Sequence, residues 1–418
     1  MSGMYGQFRS RSNISNMAVP EERTSLLGTS SQTNMHPAWL SISSIIAAIL
    51  SSNPVASVLL IFTPIGLLAP SFGWSPPAIF ALNFLSLVAL GHIFNIVLLE
   101  LTEPIGQTLQ DFVLGLFGYP TFLIVTAFTL ETYGAPLVQA SIFGSIIFHN
   151  LAVLGCCFLV YGLQYREQPL DGRWGALMTL ILMSLIFPSL PSFFISSRGS
   201  AAQSPTAPEP ELVLISHVIA PVLLILYLVF LLFQSRTHTH LFRPDEEVER
   251  EEQEESVILA HWSGPFVTII LAIGLVAATA GSAKYLVDSL GPLFITTGIS
   301  KASVGYVLLP ILFYIQSLSL SVVAWKGRPD LVITVSISDM LYTLLFGYPF
   351  LVIVGWIQNV EITFHSSPFG IVMASVTCLA ETGLMLSGSV NYLPGIFCIA
   401  AYAFFVFVST LHVDPSLD

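Results

Sequence analysis

Ionisable side chains are the scarcest component of this chain. Asp, Glu, Lys and Arg make up 9% of its 418 residues, where a water-soluble domain carries about 25%. With 54% hydrophobic residues and a mean hydropathy of +0.81, the composition excludes a soluble globule. Only 13 basic residues face 25 acidic ones, which leaves no basic surface for nucleic acid. Cysteine is almost as rare. Cys156, Cys157, Cys378 and Cys398 all fall in apolar stretches, where a thiol behaves as a small hydrophobe, so no disulfide framework is implied. No P-loop, Rossmann, hydrolase or zinc motif is present, and no cofactor or bound metal is expected.

What remains is apolar length, and the first partner it implies is a lipid bilayer. Hydropathy predicts about eleven segments long enough to cross a hydrocarbon layer of about 30 Å. They lie at 54–70, 77–99, 109–132, 137–161, 174–195, 212–233, 262–285, 300–324, 330–355, 367–388 and 392–411. The shorter apolar run 39–50 reads as an interfacial lead-in. Lys and Arg collect on the cytosolic side of membranes. A cytosolic N-terminus places ten of the 13 there, leaving Arg198, Lys284 and Lys301 opposite. The C-terminus, 412–418, is then lumenal.

Residues 1–37 read as a disordered cytosolic tail without a signal peptide. Inside it, ERTSLL, with Glu22, Leu26 and Leu27, is similar to an acidic dileucine sorting signal; an inert tail is the alternative. Between the sixth and seventh segments, DEEVEREEQEE (245–255) sets eight acids against Arg250. It reads as a solvated linker or as a weak cation-attracting surface, and it lacks the ligand spacing of an EF-hand. The resulting organisation is a tail (1–37), a lead-in and first helix (38–70), a first repeat (71–233), an acidic linker (234–258) and a second repeat (259–411). Five helices per repeat make the second copy upside down, the plan of many secondary transporters.

The stretch LGLFGYPTFLIV (114–125) is expected to break at Pro120 in mid-membrane, and it carries no ionisable group. Around it, Gly106-Gln107-Thr108-Leu109, the run VQASIFGSIIFHNLAVLGCC (138–157) and Tyr165-Arg166-Glu167-Gln168 resemble the first repeat of the Ca2+/H+ exchangers of the cation/Ca2+ exchanger superfamily, fungal vacuolar type. Trp74-Ser75-Pro76, Leu82-Asn83-Phe84-Leu85 and Leu101-Thr102-Glu103 fit the same repeat. Leu286-Val287-Asp288-Ser289, Ile299-Ser300-Lys301, Leu308-Leu309-Pro310-Ile311, Pro329-Asp330-Leu331 and Gly355-Trp356-Ile357 resemble the second. The resemblance spans about 54–411 and implies an all-α membrane protein of the exchanger fold, located in the vacuolar membrane or another endomembrane.

The family's chemistry departs at its centre. Each repeat of the exchangers carries Gly-Asn-Ala-x-Glu, whose carboxylate binds calcium or protons in turn. Here the copies read Gly118-Tyr119-Pro120-Thr121-Phe122 and Phe313-Tyr314-Ile315-Gln316-Ser317. The partner motif of the fourth helix reads Gly144-Ser145-Ile146-Ile147-Phe148-His149, and that of the ninth reads Ser338-Asp339-Met340-Leu341-Tyr342. Ca2+ takes six to eight oxygen ligands, several of them anionic, and these residues leave most of its dehydration uncompensated.

By the resemblance, the midplane is lined by Tyr119, Phe122, Phe148, His149, Phe313, Tyr314, Gln316, Ser317 and Tyr342, with Asp339 as the acid. An intramembrane Asp is a functional candidate by default; the alternative is a neutral Asp bonded to a tyrosine. His149 reads as a proton relay or as a satisfied interhelical donor. Asp111, Glu131 and Glu381 lie near predicted helix ends and read as interfacial. An acid, an imidazole, an amide and several ring faces suit a lipophilic organic substrate. The expectation is therefore an intramembrane acid-type cyclase or isomerase with Asp339, His149, Tyr342 and Gln316 as catalytic groups and the other lining residues holding substrate. The alternatives are a divergent vacuolar cation (Ca2+)/H+ antiporter and a non-catalytic pseudo-transporter.

Overall fold

A computed structural model describes residues 58–170, 172–197, 210–239, 265–319, 329–358, 360 and 362–411. The dileucine pattern and the acidic linker lie outside the described residues. The described chain is nearly all helix. A helix α1 (Val58–Phe72) is followed by ten that are long and apolar enough to cross a membrane: α2 (Pro76–Ile105), α3 (Gln107–Tyr133), α4 (Ala135–Tyr165), α5 (Arg173–Phe193), α6 (Glu211–Thr237), α7 (Phe266–Thr297), α8 (Lys301–Leu318), α9 (Pro329–Gln358), α10 (Pro368–Leu386) and α11 (Tyr392–Leu411).

One predicted span, the seventh, falls short of its helix, and the first is described only from residue 58. The described part of the first forms a helix too short to count as a crossing. The seventh runs twelve residues further than 262–285. Its extension, Leu286 to Thr297, dilutes the hydropathy with Asp288, Ser289, Gly291 and Pro292, yet the backbone stays helical. Two short strands, β1 (Glu167–Pro169) and β2 (Ser389–Asn391), pair antiparallel with Glu167 opposite Asn391 and tie the end of α4 to the α10–α11 turn.

Burial places α4, α8 and α9 at the centre: 72%, 67% and 67% of their apolar windows are buried, against 22% for α11. Large side chains such as Phe193, Phe266 and Ile295 point outward, as an apolar solvent permits. Small residues let the central backbones touch. A Cβ on Gly144 of α4 would stand 2.4 Å from the Tyr306 carbonyl oxygen of α8, and one on Gly395 of α11 would stand 2.4 Å from the Leu159 nitrogen of α4.

The central helices are irregular at matched places. α3 breaks at Gly118-Tyr119, where Pro120 lacks an N–H and disfavours helical geometry in the residue before it; Tyr119 sits at φ −120°, ψ 56°. α8 kinks at Tyr314 (φ −129°, ψ 18°). α4 and α9 each widen into a π-helical turn, Phe148–Val153 and Tyr342–Gly347. Such turns re-aim side chains and are frequent at functional sites.

Candidate functional site

All four irregular helices deliver a side chain to one point. Asp339, 1% exposed, precedes the π turn of α9. Tyr119, at the break of α3, donates its hydroxyl to Asp339 Oδ1 in a short hydrogen bond. Ser317, one turn past the kink of α8, donates to Oδ2 at 2.6 Å. His149, in the π turn of α4, brings Nε2 to 3.0 Å from Oδ2. Its Nδ1 lies 2.8 Å from the Ser145 carbonyl. Of the groups on this carboxyl, His149 and Ser317 are buried and Tyr119 is partly exposed.

Aromatic rings close around the cluster. Tyr119 lies 4.3 Å from Tyr342 and 5.9 Å from Tyr314, centroid to centroid. His149 meets Tyr314 edge-on at 4.6 Å. Phe122 is T-shaped against Phe313 at 5.1 Å and against Tyr342 at 6.0 Å. Its seat exists because residue 347 is glycine: a Cβ there would come within 2.6 Å of the Phe122 ring. The Tyr314 hydroxyl pairs with Thr343 Oγ1 at 2.6 Å, and Thr343 donates to the Asp339 carbonyl at 2.8 Å.

Asp339, His149, Tyr119, Ser317, Tyr314, Tyr342, Phe122 and Phe313 are thus brought together. Gln316 is not. It turns to α2, where it bonds His92 and would crowd a side chain at residue 91, because the helix rotates it away from the face that carries Ser317. Phe148 packs on Tyr402 of α11 at 5.8 Å and meets the edge of His149 at 5.9 Å. Glu381 is not interfacial: it is 1% exposed and takes the Cys398 thiol at 3.2 Å. Asp111 is half-buried and Glu131 exposed. The residues missed from sequence are Thr343, Tyr227 and Phe346. Tyr227 stands 6.0 Å from Tyr342 and holds the Gly115 carbonyl at 2.7 Å, beside the break in α3. A lone tyrosine in the apolar run 212–233 is the signal that marks it.

The proton count at the centre follows from geometry. A ring nitrogen 2.8 Å from a carbonyl must carry hydrogen, so Nδ1 of His149 is the donor to Ser145. Nε2 and Asp339 Oδ2 then face one another at 3.0 Å, and the lone pairs of both point into the gap. One proton between them makes a hydrogen bond. Without it, an imidazole lone pair and a carboxylate repel each other unless a cation takes the place. No group of three or more His, Cys, Asp and Glu suited to a metal ion occurs among the described residues. The gap therefore offers one nitrogen, one carboxylate and the hydroxyls of Tyr119 and Ser317.

The family model described as "Sodium/calcium exchanger protein" matches residues 78–236 and 266–411. The chain belongs to that family. Among the relatives of this sodium/calcium exchanger family chain is a vacuolar calcium ion transporter of Schizosaccharomyces pombe, 29% identical over 389 residues that cover 92% of each chain. Another, vacuolar cation/proton exchanger 2 of Arabidopsis thaliana, is 25% identical over 378 residues, covering 87% of this chain and 82% of the relative. Among solved structures, native YfkE superposes with a TM-score of 0.67 at 18% identity, covering 86% of this chain and all of that one. At that identity the likeness is one of fold.

Proposed function

We propose that the chain is a cation/proton antiporter of the vacuolar membrane or another endomembrane, in which the gap between His149 and Asp339 does the work of the family's two glutamates. The observation that carries this reading is the pair itself: Nε2 and Oδ2 stand 3.0 Å apart, a spacing at which a proton and a cation would compete for the same lone pairs. Competition of this kind is what exchange requires. Tyr119 and Ser317 neutralise part of the carboxylate's charge and fix its orientation, and the surrounding rings exclude bulk water. Membership of the exchanger family and the vacuolar relatives support the class of activity.

The donor set bears on the cargo. Ca2+ takes oxygen ligands only and in large number, whereas an imidazole beside a carboxylate suits a smaller divalent ion that accepts nitrogen. The cargo expected to do best is therefore of the Mn2+ or Zn2+ type, with Ca2+ weaker.

A second reading rests on the rings. Tyr119, Phe122, Tyr314 and Tyr342 surround the one acid of the cluster, which suits acid-type cyclisation or isomerisation of a lipophilic substrate. The cage is, however, filled by its own rings in contact with each other, and that favours transport. Purified protein in sealed vesicles separates the two. Proton movement driven by Mn2+, Zn2+ or Ca2+ and abolished by Asp339→Asn is the expected result. No cation-driven proton movement, together with conversion of a lipophilic precursor in microsomes lacking any gradient, would replace antiport with the enzyme.

A further inference from the structure

A second acid lies buried behind the first and has no part in the cluster just described. Glu381, in α10, is 1% exposed. Its Oε1 accepts from the Cys398 thiol of α11 at 3.2 Å, and its Oε2 has no hydrogen-bond partner among the described residues. Cys378 stands one turn earlier on the same helix face and accepts from Asn150 Nδ2 at 3.1 Å. The Asn150 carbonyl oxygen, also buried, has no partner among the described residues either. A buried carboxyl with one thiol as its donor among the described residues is an arrangement that an added proton on Oε2 neutralises. Left ionised with one thiol for company, the carboxylate faces an apolar interior with most of its hydration uncompensated.

The charged and titratable groups around it do not supply that compensation. Cys157 of α4 lies within electrostatic reach of Glu381 on one side and Asp330 of α9 on the other. From α5, Arg173 places its guanidinium over the Trp174 ring at 4.5 Å. His149, the remaining titratable group of the π turn packed on α10, is committed to Asp339 and Ser145. The connection to the first acid is that same turn. Consecutive residues of Phe148–Val153 face two helices, His149 toward Asp339 of α9 and Asn150 toward Thr377 and Cys378 of α10, one turn before Glu381. A π turn is what lets neighbours in sequence serve two helices at once.

We propose that Glu381 is a second proton-holding site, coupled to the His149–Asp339 gap through the π turn of α4. Its place in a transport cycle rests on the antiport reading; its holding of a proton does not. In that cycle a divalent cation entering the gap displaces the proton shared by His149 and Asp339, Glu381 releases its own proton from Oε2, and the two charges that arrive match the two that leave.

Two measurements on the purified full-length protein test this. Infrared difference spectra taken across pH in lipid are expected to show a buried protonated-carboxyl band that Glu381→Gln removes, distinct from any change made by Asp339→Asn, and that Glu381→Asp retains at a shifted position. Superimposable spectra for the parent protein and Glu381→Gln would overturn the proposal. In sealed vesicles the protons released per Mn2+ taken up should fall by half in Glu381→Gln and recover in Glu381→Asp. A ratio that stays unchanged in folded Glu381→Gln, judged by its elution and thermal midpoint, would overturn the coupling. If the parent protein moves no cation, the antiport reading falls, and the infrared experiment alone decides whether Glu381 holds a proton.

Discussion

The two halves of the membrane domain match in backbone and differ in chemistry. An offset of 194 residues carries the π turn of α4 onto that of α9, and one residue more carries the break at Tyr119 onto the kink at Tyr314. The offset of 194 also carries Ser145 onto Asp339, His149 onto Thr343 and Gly144 onto Ser338, while the offset of 195 carries Phe122 onto Ser317. At three of these four pairs one half supplies a group that titrates or binds and the other supplies a hydroxyl or a ring; at Gly144 and Ser338 neither does. Apart from the break that Pro120 imposes on α3, the irregular backbone recurs in both halves although the side chains it presents differ. The site is assembled from unequal contributions rather than from two copies of one motif.

The steepest test of that difference is Gly144 against Ser338. Gly144 meets the Tyr306 carbonyl and the Pro310 ring, so Gly144→Ala forces a backbone to move and should destabilise the protein at or above the top of the ~1–3 kcal/mol range for overpacking. Ser338 already carries a side chain, and its hydroxyl has no partner among the described residues. Ser338→Ala should change stability by no more than about 0.5 kcal/mol. Thermal unfolding in detergent measures both, and equal losses would show that the halves are packed alike.

Next in size is the pair of tyrosines at the two breaks. Tyr119 donates to the Asp339 carboxyl, whereas Tyr314 pairs with the neutral hydroxyl of Thr343. A hydrogen bond to a charged group contributes about 1.5–3 kcal/mol and a neutral one about 0.5–1.5. Tyr119→Phe should therefore lower cation-driven proton flux by about tenfold or more, and Tyr314→Phe by no more than about tenfold, in the same vesicles. The opposite order would place the functional carboxyl elsewhere.

Much of this arrangement was legible in the sequence, and the exceptions share a cause. The break at Tyr119 follows from Pro120 through covalent geometry alone, and Asp339, His149 and Ser317 follow from their places in the two motifs. Gln316 did not, because one residue beside a kink selects between two faces, and the angle of the kink is set by packing around Tyr314. Glu381 did not, because its distance from the helix end says nothing of the side on which α11 lies. Tyr227 joins the site only through contacts between helices far apart in sequence, and Thr343, one turn beyond Asp339 on α9, is marked by its contact with the Tyr314 hydroxyl of α8. The length of α7 was hidden because hydropathy reports the lipid-facing portion of a helix, whereas hydrogen bonding continues through Asp288 and Ser289.

The connectors that follow the two π-bearing helices make the smallest contrast, and it is one of pH. After α4 the chain passes through Arg166 into β1 without a histidine. After α9 it passes through His365, half-buried, with Nδ1 3.2 Å from Ser192 Oγ. Burial lowers the His365 pKa below its ordinary value of 6.5, because the imidazolium would lose hydration it does not recover. Between that lowered value and 6.5 the unfolded chain binds more protons than the folded one, so stability rises with pH across this window. The contribution is fully present above 6.5 and is lost as pH falls through the native value. His365→Gln should flatten the acid side of the thermal midpoint against pH by a small amount and leave the midpoint above pH 7 nearly unchanged. Replacing Arg166 by Gln should leave the acid slope intact, since guanidinium does not titrate there.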